Sequence, residues 1–229
     1  DPCSNIISMP RKNSVKIYLE NGYYHIYNRG VAKQDVFLEH NDYLYFLHIL
    51  KSTLSKAPNK GPTLVGKRSW PQKNFFQKID LLAYCLMPNH FHLLVRQTAP
   101  TIISEFIKSV CSRYGMYFNK KYERVGPLFQ GIFKAVNIDN ENYLLWMARY
   151  IHRNPTNFKD YKYSSYNDYF GLTNTSWVNT KIVLDYFSNN QAFIEFTEDT
   201  KNESKTDINM DFYSLESETD EPNPWLKTI

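Results

Sequence analysis

Only three cysteines, Cys3, Cys85 and Cys111, occur in 229 residues. Their number is odd, their spacings are wide, and no Cys-x-x-Cys occurs, so neither a disulfide framework nor a zinc ribbon is expected. Such usage fits a reducing, cytoplasmic setting. Cys85 lies in an apolar stretch and reads as a small core residue. No apolar run approaches the length of a membrane span, and the N-terminus lacks the apolar centre of a signal peptide, so no membrane association is expected. No internal repeat is visible, which sets solenoid architectures aside.

What is plentiful is aromatic: 18 Tyr and 15 Phe within a chain that is 42% hydrophobic and 22% charged. Aromatic rings can fill a core or serve as platforms for unstacked bases. The net charge of +4 hides an asymmetry. Residues 195–229 carry ten acidic and three basic side chains, whereas residues 1–194 carry 24 basic and 13 acidic ones. A basic body of this kind suits a polyanionic partner. The acidic tail is either a competitor for that partner or a solubilising appendage.

Taken in order, residues 1–22 form a basic arm. Tyr23–Tyr27 reads as a strand closed by the turn signal Asn28-Arg29-Gly30. A helix capped by Asn41 or Asp42 is expected from Tyr43 to about Ser55, with Leu44, Leu47, Leu50 and Leu54 at helical spacing. Residues 56–75, rich in Gly, Pro and Lys or Arg, form a long loop, either a nucleic-acid contact or a tolerated insertion. Ile79–Leu86 and Phe91–Val95 read as two strands joined by Met87-Pro88-Asn89. A helix follows from about Ile102 to Tyr122, then a strand over Phe129–Ile138. A last helix runs from Glu141 to about Arg153, stopped by Asn154-Pro155. Residues 156–194 read as irregular apart from a short amphipathic segment near Val183–Phe187, with 171–194 packed on the domain. Residues 195–229 read as a poorly ordered acidic tail. This β–α–β–β–α–β–α order predicts an α+β fold, an antiparallel sheet of ferredoxin-like type with helices on one face and the other face available for a site.

The chemistry centres on Tyr84–Val95, YCLMPNHFHLLV. On a strand, residues two apart share a face, so His90 and His92 project together while Phe91 and Leu93 turn to the core. Two neutral imidazoles are a natural pair of ligands for a divalent cation. In the last helix, ENYLLWMARYIHRNP, Tyr150 and Asn154 lie one turn apart on one face, and Tyr143 is on nearly the same stripe. A phenol is a nucleophile toward phosphorus, and an amide oxygen is a hard ligand. His152 is an alternative ligand, but on another face. By spacing alone these residues are equally compatible with packing roles.

The ordered set YHIYNRG, YCLMPNHFH, FNKKYERVGPLFQGIFKA, RYIHRNP and YKYSSYNDYFG, covering residues 23–170, resembles the HUH single-tyrosine transposases, and within them the REP-associated tyrosine transposase branch. That resemblance implies a ferredoxin-like sheet and a divalent metal, Mg²⁺ or Mn²⁺, on His90 and His92. It matches Tyr150 to the catalytic tyrosine and Asn154 to the position of a polar third ligand. It implies nicking and joining of single-stranded DNA beside a hairpin, through a 5′-phosphotyrosine. A neutral phenol, with a pKa of about 10, attacks an anionic phosphodiester poorly, and a cation on the phosphate relieves that repulsion. Candidate DNA contacts are Arg29, Lys33, Arg113, Lys120, Lys121, Arg124, Gln130 and Lys134. A non-catalytic hairpin-binding protein of the same fold is the alternative, and either a monomer or a homodimer is compatible with the sequence.

Overall fold

In the computed structural model, residues 18–56 and 73–199 are described. Strand β1 (Tyr23–Arg29) leads through a short 3-10 turn to helix α1 (His40–Leu54). The hairpin β2 (Ile79–Met87) and β3 (His90–Gln97) follows, then α2 (Ile102–Lys121), β4 (Lys134–Ile138) and α3 (Glu141–Arg153). The four strands pair antiparallel in the order β2-β3-β1-β4. This is the ferredoxin-like arrangement expected from the order of elements.

Alternation along the strands gives the sheet two different faces. Ile26, Leu86, Phe91, Leu93 and Val95 are fully buried and pack with Phe46, Ile49 and Leu50 of α1 and with Ile103, Phe106, Val110 and Tyr114 of α2. Each such side chain removed from water contributes roughly 1.5–3 kcal/mol before entropy is counted. Helices α1 and α2 therefore cover this face. Helix α3 packs on β2 and β3, and its apolar residues Leu144, Met147, Ala148 and Ile151 are buried. The second face thus carries α3 over one half.

Asp42 ties α1 to α2. Its side chain is fully buried, accepts from the backbone N–H groups of Leu38 (2.9 Å) and Glu39 (3.1 Å), and receives Lys121 Nζ (2.6 Å) and the Tyr122 hydroxyl (2.7 Å). It stands at the third position of a helix that begins at His40 and is capped by Glu39. The helix starts earlier than its apolar spacing predicts, because Asp42 closes the turn before it.

Three further differences have local causes. The strand predicted over Phe129–Ile138 shortens to Lys134–Ile138, since Gly131 adopts a left-handed φ of 60° and breaks the extended run. Gln130 consequently sits in a loop, its N–H donating to the Arg29 carbonyl at 2.7 Å. The stretch predicted as irregular contains α4 (Tyr166–Phe170), α5 (Lys181–Leu184) and the start of α6 (Asn190–Glu198). It also borders the sheet: Ser164 bridges to Cys85, Val178 bridges to Leu81, and the Tyr169 hydroxyl donates to the Leu82 carbonyl at 2.9 Å. These contacts shield the β2 edge, which would otherwise offer unpaired backbone groups. The acidic tail begins within α6, where Thr197 is buried. The rest of that tail from residue 200, residues 1–17 of the arm and most of the 56–75 loop lie outside the described residues. By contacts the chain divides after Thr197, and of the second unit only Glu198 and Asp199 are described.

Candidate active site

The Pro88-Asn89 turn between β2 and β3 places His90 at the first position of its strand. That turn is held from outside. The Pro88 carbonyl accepts from Val36 N–H (2.8 Å) and Phe37 N–H (3.0 Å), and the Asn89 carbonyl accepts from Gly30 N–H (2.8 Å). Gly30 is needed for this approach, since a Cβ there would lie 2.2 Å from the Gln34 carbonyl oxygen.

Register then decides what surrounds the histidines. Arg29 pairs with His90 and Tyr27 with His92 across β1 and β3, while Lys134 of β4 pairs with Tyr27 on its other side. Directly paired residues point to the same face, so Arg29, Tyr27 and Lys134 share the face of His90 and His92. Lys134 Nζ lies 5.8 Å from the centre of the Tyr27 ring. Helix α3 brings its last turn to the same place. The Tyr150 ring stands edge-on to His92 with centroids 5.7 Å apart. Asn154 Nδ2 is 3.3 Å from His92 Nε2 and donates to the Tyr150 hydroxyl at 3.4 Å. All four expected residues, His90, His92, Tyr150 and Asn154, therefore converge within one chain. Asn154 keeps helical dihedrals as the C-cap (φ −56°, ψ −44°), so the helix reaches it before Pro155 ends the run.

The histidines are kept neutral. Burial pushes His90 down to about 4, assisted by the Arg29 guanidinium and opposed by Asn154. His92 is fully buried and held well below the usual histidine value by burial, then by His90 and His25. A neutral imidazole offers a lone pair, as a metal ligand must. His90 Nδ1 is 2.6 Å from Asn89 Oδ1 and donates to it, which puts the lone pair of the neutral ring on Nε2. Among the described residues no three His, Cys, Asp or Glu side chains converge as a cation site. Two imidazoles with an amide, and no thiolate or carboxylate, form an open donor set suited to a cation that also takes substrate oxygens.

His25 was not singled out by spacing. Its ring is fully buried, its Nε2 lies 2.9 Å from His92 Nδ1, and the two rings are nearly parallel with centroids 5.1 Å apart. Burial pushes its pKa down to about 3. The signal was present in YHIY, where His25 and Tyr27 stand two apart on a strand, but only the β1–β3 register reveals what that face meets. His152, by contrast, is structural. Its Nε2 is 2.9 Å from Ser165 Oγ, and its ring is surrounded by Tyr166, Tyr169 and Phe193. Tyr143 lies one turn into α3, half-buried, its phenol pushed above the ordinary range by burial and Asp139.

The expected DNA contacts divide into two groups. Arg29 and Lys134 flank the histidine face. Lys33 is exposed in the loop whose carbonyl accepts from Asn89 Nδ2 (3.3 Å), and Gln130 adjoins the end of β1. Arg113, Lys120, Lys121 and Arg124 belong to α2 and its C-terminal end, in the layer on the other face. Arg113 donates to Thr53 Oγ1 (2.9 Å) and Ser52 Oγ (3.0 Å), and Lys121 is bound to Asp42 and Glu39. Arg124 reaches Asn119 and Gln34 (both 3.3 Å), while Lys120 is exposed.

Residues 72–154 match the family model described as IS200-like transposase. The match includes β2, β3, α2, β4 and α3, and so both histidines, Tyr150 and Asn154. A solved REP-associated tyrosine transposase bound to a REP hairpin is similar in structure, with a TM-score of 0.50 and 12% identity over 73% of this chain and 97% of that one. A candidate transposase from Deinococcus radiodurans aligns over 57% of this chain and 89% of its own, with a TM-score of 0.36 and 14% identity. No curated protein matches by sequence. Among the described residues no helix is long and apolar enough to cross a membrane. Residues 72–154 are thus similar to the IS200-like transposase family, and the fold is similar to that of the REP-associated tyrosine transposase.

Proposed function

We propose that this protein acts as a transposase that nicks and rejoins single-stranded DNA beside a hairpin, with Tyr150 as the nucleophile. The observation that carries the proposal is the position of Asn154 Nδ2, 3.3 Å from His92 Nε2 and 3.4 Å from the Tyr150 hydroxyl. His90, His92 and Asn154 would hold a divalent cation, Mg²⁺ or Mn²⁺. Such an ion, when bound, neutralises phosphate charge and favours attack at phosphorus.

The chain's own groups do the rest. The Tyr150 hydroxyl oxygen forms a bond to the scissile phosphorus. The bond from phosphorus to the 3′ oxygen breaks, and the proton lost by the phenol is balanced by the one gained at the 3′ hydroxyl. The 5′ side is left as a phosphotyrosine, so the phosphodiester is conserved as a covalent link and rejoining needs no nucleotide cofactor. Asn154 holds the Tyr150 hydroxyl toward His92 through its amide N–H. Arg29 and Lys134 supply positive charge along the histidine face for the DNA backbone.

The test uses the full chain with hairpin-bearing single-stranded DNA, labelled at either end, and Mn²⁺. Denaturing gels should show a covalent adduct carrying the DNA 3′ of the cut, lost in Tyr150→Phe. Cleavage without an adduct would remove Tyr150 from the role. Retention of the adduct in Tyr150→Phe would move the nucleophile to another tyrosine, Tyr27 or Tyr143. Tight hairpin binding with neither cleavage nor adduct would favour a purely DNA-binding protein.

A further inference from the structure

Each HUH-type histidine has two ring nitrogens, and only one can face a metal. For His90 the second nitrogen is accounted for by Asn89 Oδ1 at 2.6 Å. For His92 the second nitrogen, Nδ1, lies 2.9 Å from His25 Nε2. Both rings are fully buried and nearly parallel, with 12° between their planes. His25 comes from β1, where it pairs with Leu94, one step diagonal from the Tyr27–His92 pair. It therefore reaches His92 from the side of the ring away from Asn154.

Two neutral imidazoles carry one N–H proton each, and one of these two lies in the shared hydrogen bond. If His25 donates, His92 carries its own proton on Nε2, pointing at Asn154 and closing the nitrogen to a cation. If His92 donates from Nδ1, its Nε2 carries a lone pair, and the Asn154 N–H at 3.3 Å meets an acceptor. Only the second arrangement leaves His92 Nε2 able to take a cation. His25 is not itself placed as a ligand: its Nε2 is turned to His92, and among the described residues no three His, Cys, Asp or Glu side chains form a group that could hold a metal ion.

We propose that His25 is a positioning residue that accepts the Nδ1 proton of His92, fixing the ring and its tautomer so that Nε2 is presented to the metal. The inference rests on the metal-site reading above. It assigns to β1, outside the stretch matched by the family model, a part in building the site. Partners on the outer nitrogen of a ligating histidine commonly account for 10- to 100-fold in metal affinity.

Two measurements test it. In the full-length, metal-free protein labelled with ¹⁵N-histidine, His92 should show a protonated Nδ1 and an unprotonated Nε2. A proton on Nε2 would overturn the proposal, whatever the variants do. In Mn²⁺ titrations followed by electron paramagnetic resonance, His25→Phe should weaken binding by about 10- to 100-fold. His25→Gln, whose amide oxygen can accept the same proton, should recover most of that loss. His25→Phe binding Mn²⁺ as tightly as the wild type would sink the inference, and so would failure of His25→Gln to bind better than a folded His25→Phe. His90→Ala separates the two levels. If it leaves Mn²⁺ binding unchanged, the metal reading fails and takes the role of His25 with it. If it abolishes binding while His25→Phe does not weaken it, the role of His25 alone fails. Should His25→Phe not fold, the tautomer of His92 in the wild type decides.

Discussion

His92 Nε2 and Asn154 Nδ2 lie 3.3 Å apart, joining the third strand to the last turn of α3. The same amide donates to the Tyr150 hydroxyl at 3.4 Å. One side chain thus sets the distance between the expected nucleophile and the expected metal ligand. Rotation of the amide by half a turn would present its oxygen to a cation in place of the N–H.

Asn154→Ala should therefore weaken Mn²⁺ binding by at least about tenfold, measured by calorimetry, without unfolding the domain. Asn154→Asp should retain or strengthen it, because a carboxylate is a harder, charged ligand. Unchanged affinity in Asn154→Ala would remove the amide from the metal site and leave it as a helix cap that orients Tyr150.

The basic residues should separate by location. Arg29→Ala and Lys134→Ala, on the histidine face, should each weaken hairpin binding and lower the slope of log affinity against log salt by about 0.7. Arg113→Ala and Lys121→Ala should change that slope little, because these cations are engaged by α1. Equal slope changes for all four would mean that DNA wraps onto the α1–α2 layer.

Asp42→Ala should be among the most damaging substitutions away from the active site. It strands Lys121 and Tyr122 and uncaps the Leu38 and Glu39 N–H groups at once. Breaking a buried pair costs about 3–5 kcal/mol, and the exposure of Lys121 puts this case at the lower end, about 3 kcal/mol. Urea denaturation at neutral pH reads the loss directly. A cost under about 1 kcal/mol, the range of a surface pair, would show that the cluster is not a structural anchor.

His152 gives the fold a sensitivity to acid. Burial holds it down to about 3 in the folded protein, against about 6.5 in an unfolded chain. Between those values the unfolded state binds the proton and the folded state does not. Stability contributed by the neutral ring is therefore complete above pH 6.5 and is lost as pH falls toward 3. From pH 7 to pH 5 this single residue accounts for about 2 kcal/mol of lost stability. In His152→Gln, the difference in unfolding free energy between those two pH values should shrink by about that amount. An unchanged difference would assign the acid sensitivity to other buried groups such as His25.

Much of this organisation was legible from residue spacing. The alternation in HFHLLV separates His90 and His92 from core-facing Phe91 and Leu93, and the structure keeps that separation. Tyr150 and Asn154 share a helical face because 3.6 residues make a turn. The helix at Glu141 starts with an Asn140 cap, its side chain accepting from the Tyr143 N–H at 2.8 Å. What failed to read was local in another sense. Gly131 looked like part of a strand, since a left-handed φ leaves no mark on hydrophobic pattern. Tyr166 and Tyr169 looked irregular because their burial depends on a sheet edge some eighty residues earlier in the chain.

Residue periodicity alone accounts for the antiparallel α+β sheet, the histidine pair on one strand face and the tyrosine–asparagine pair on one helix face, because those follow from the periods of strand and helix. Tertiary structure decided that the two pairs meet, that His25 stands behind His92, and that Lys121 and Arg113 are bound to α1 while Arg29 and Lys134 border the site. Such contacts depend on strand order and register across sequence separations of 60 residues or more, which no local period specifies.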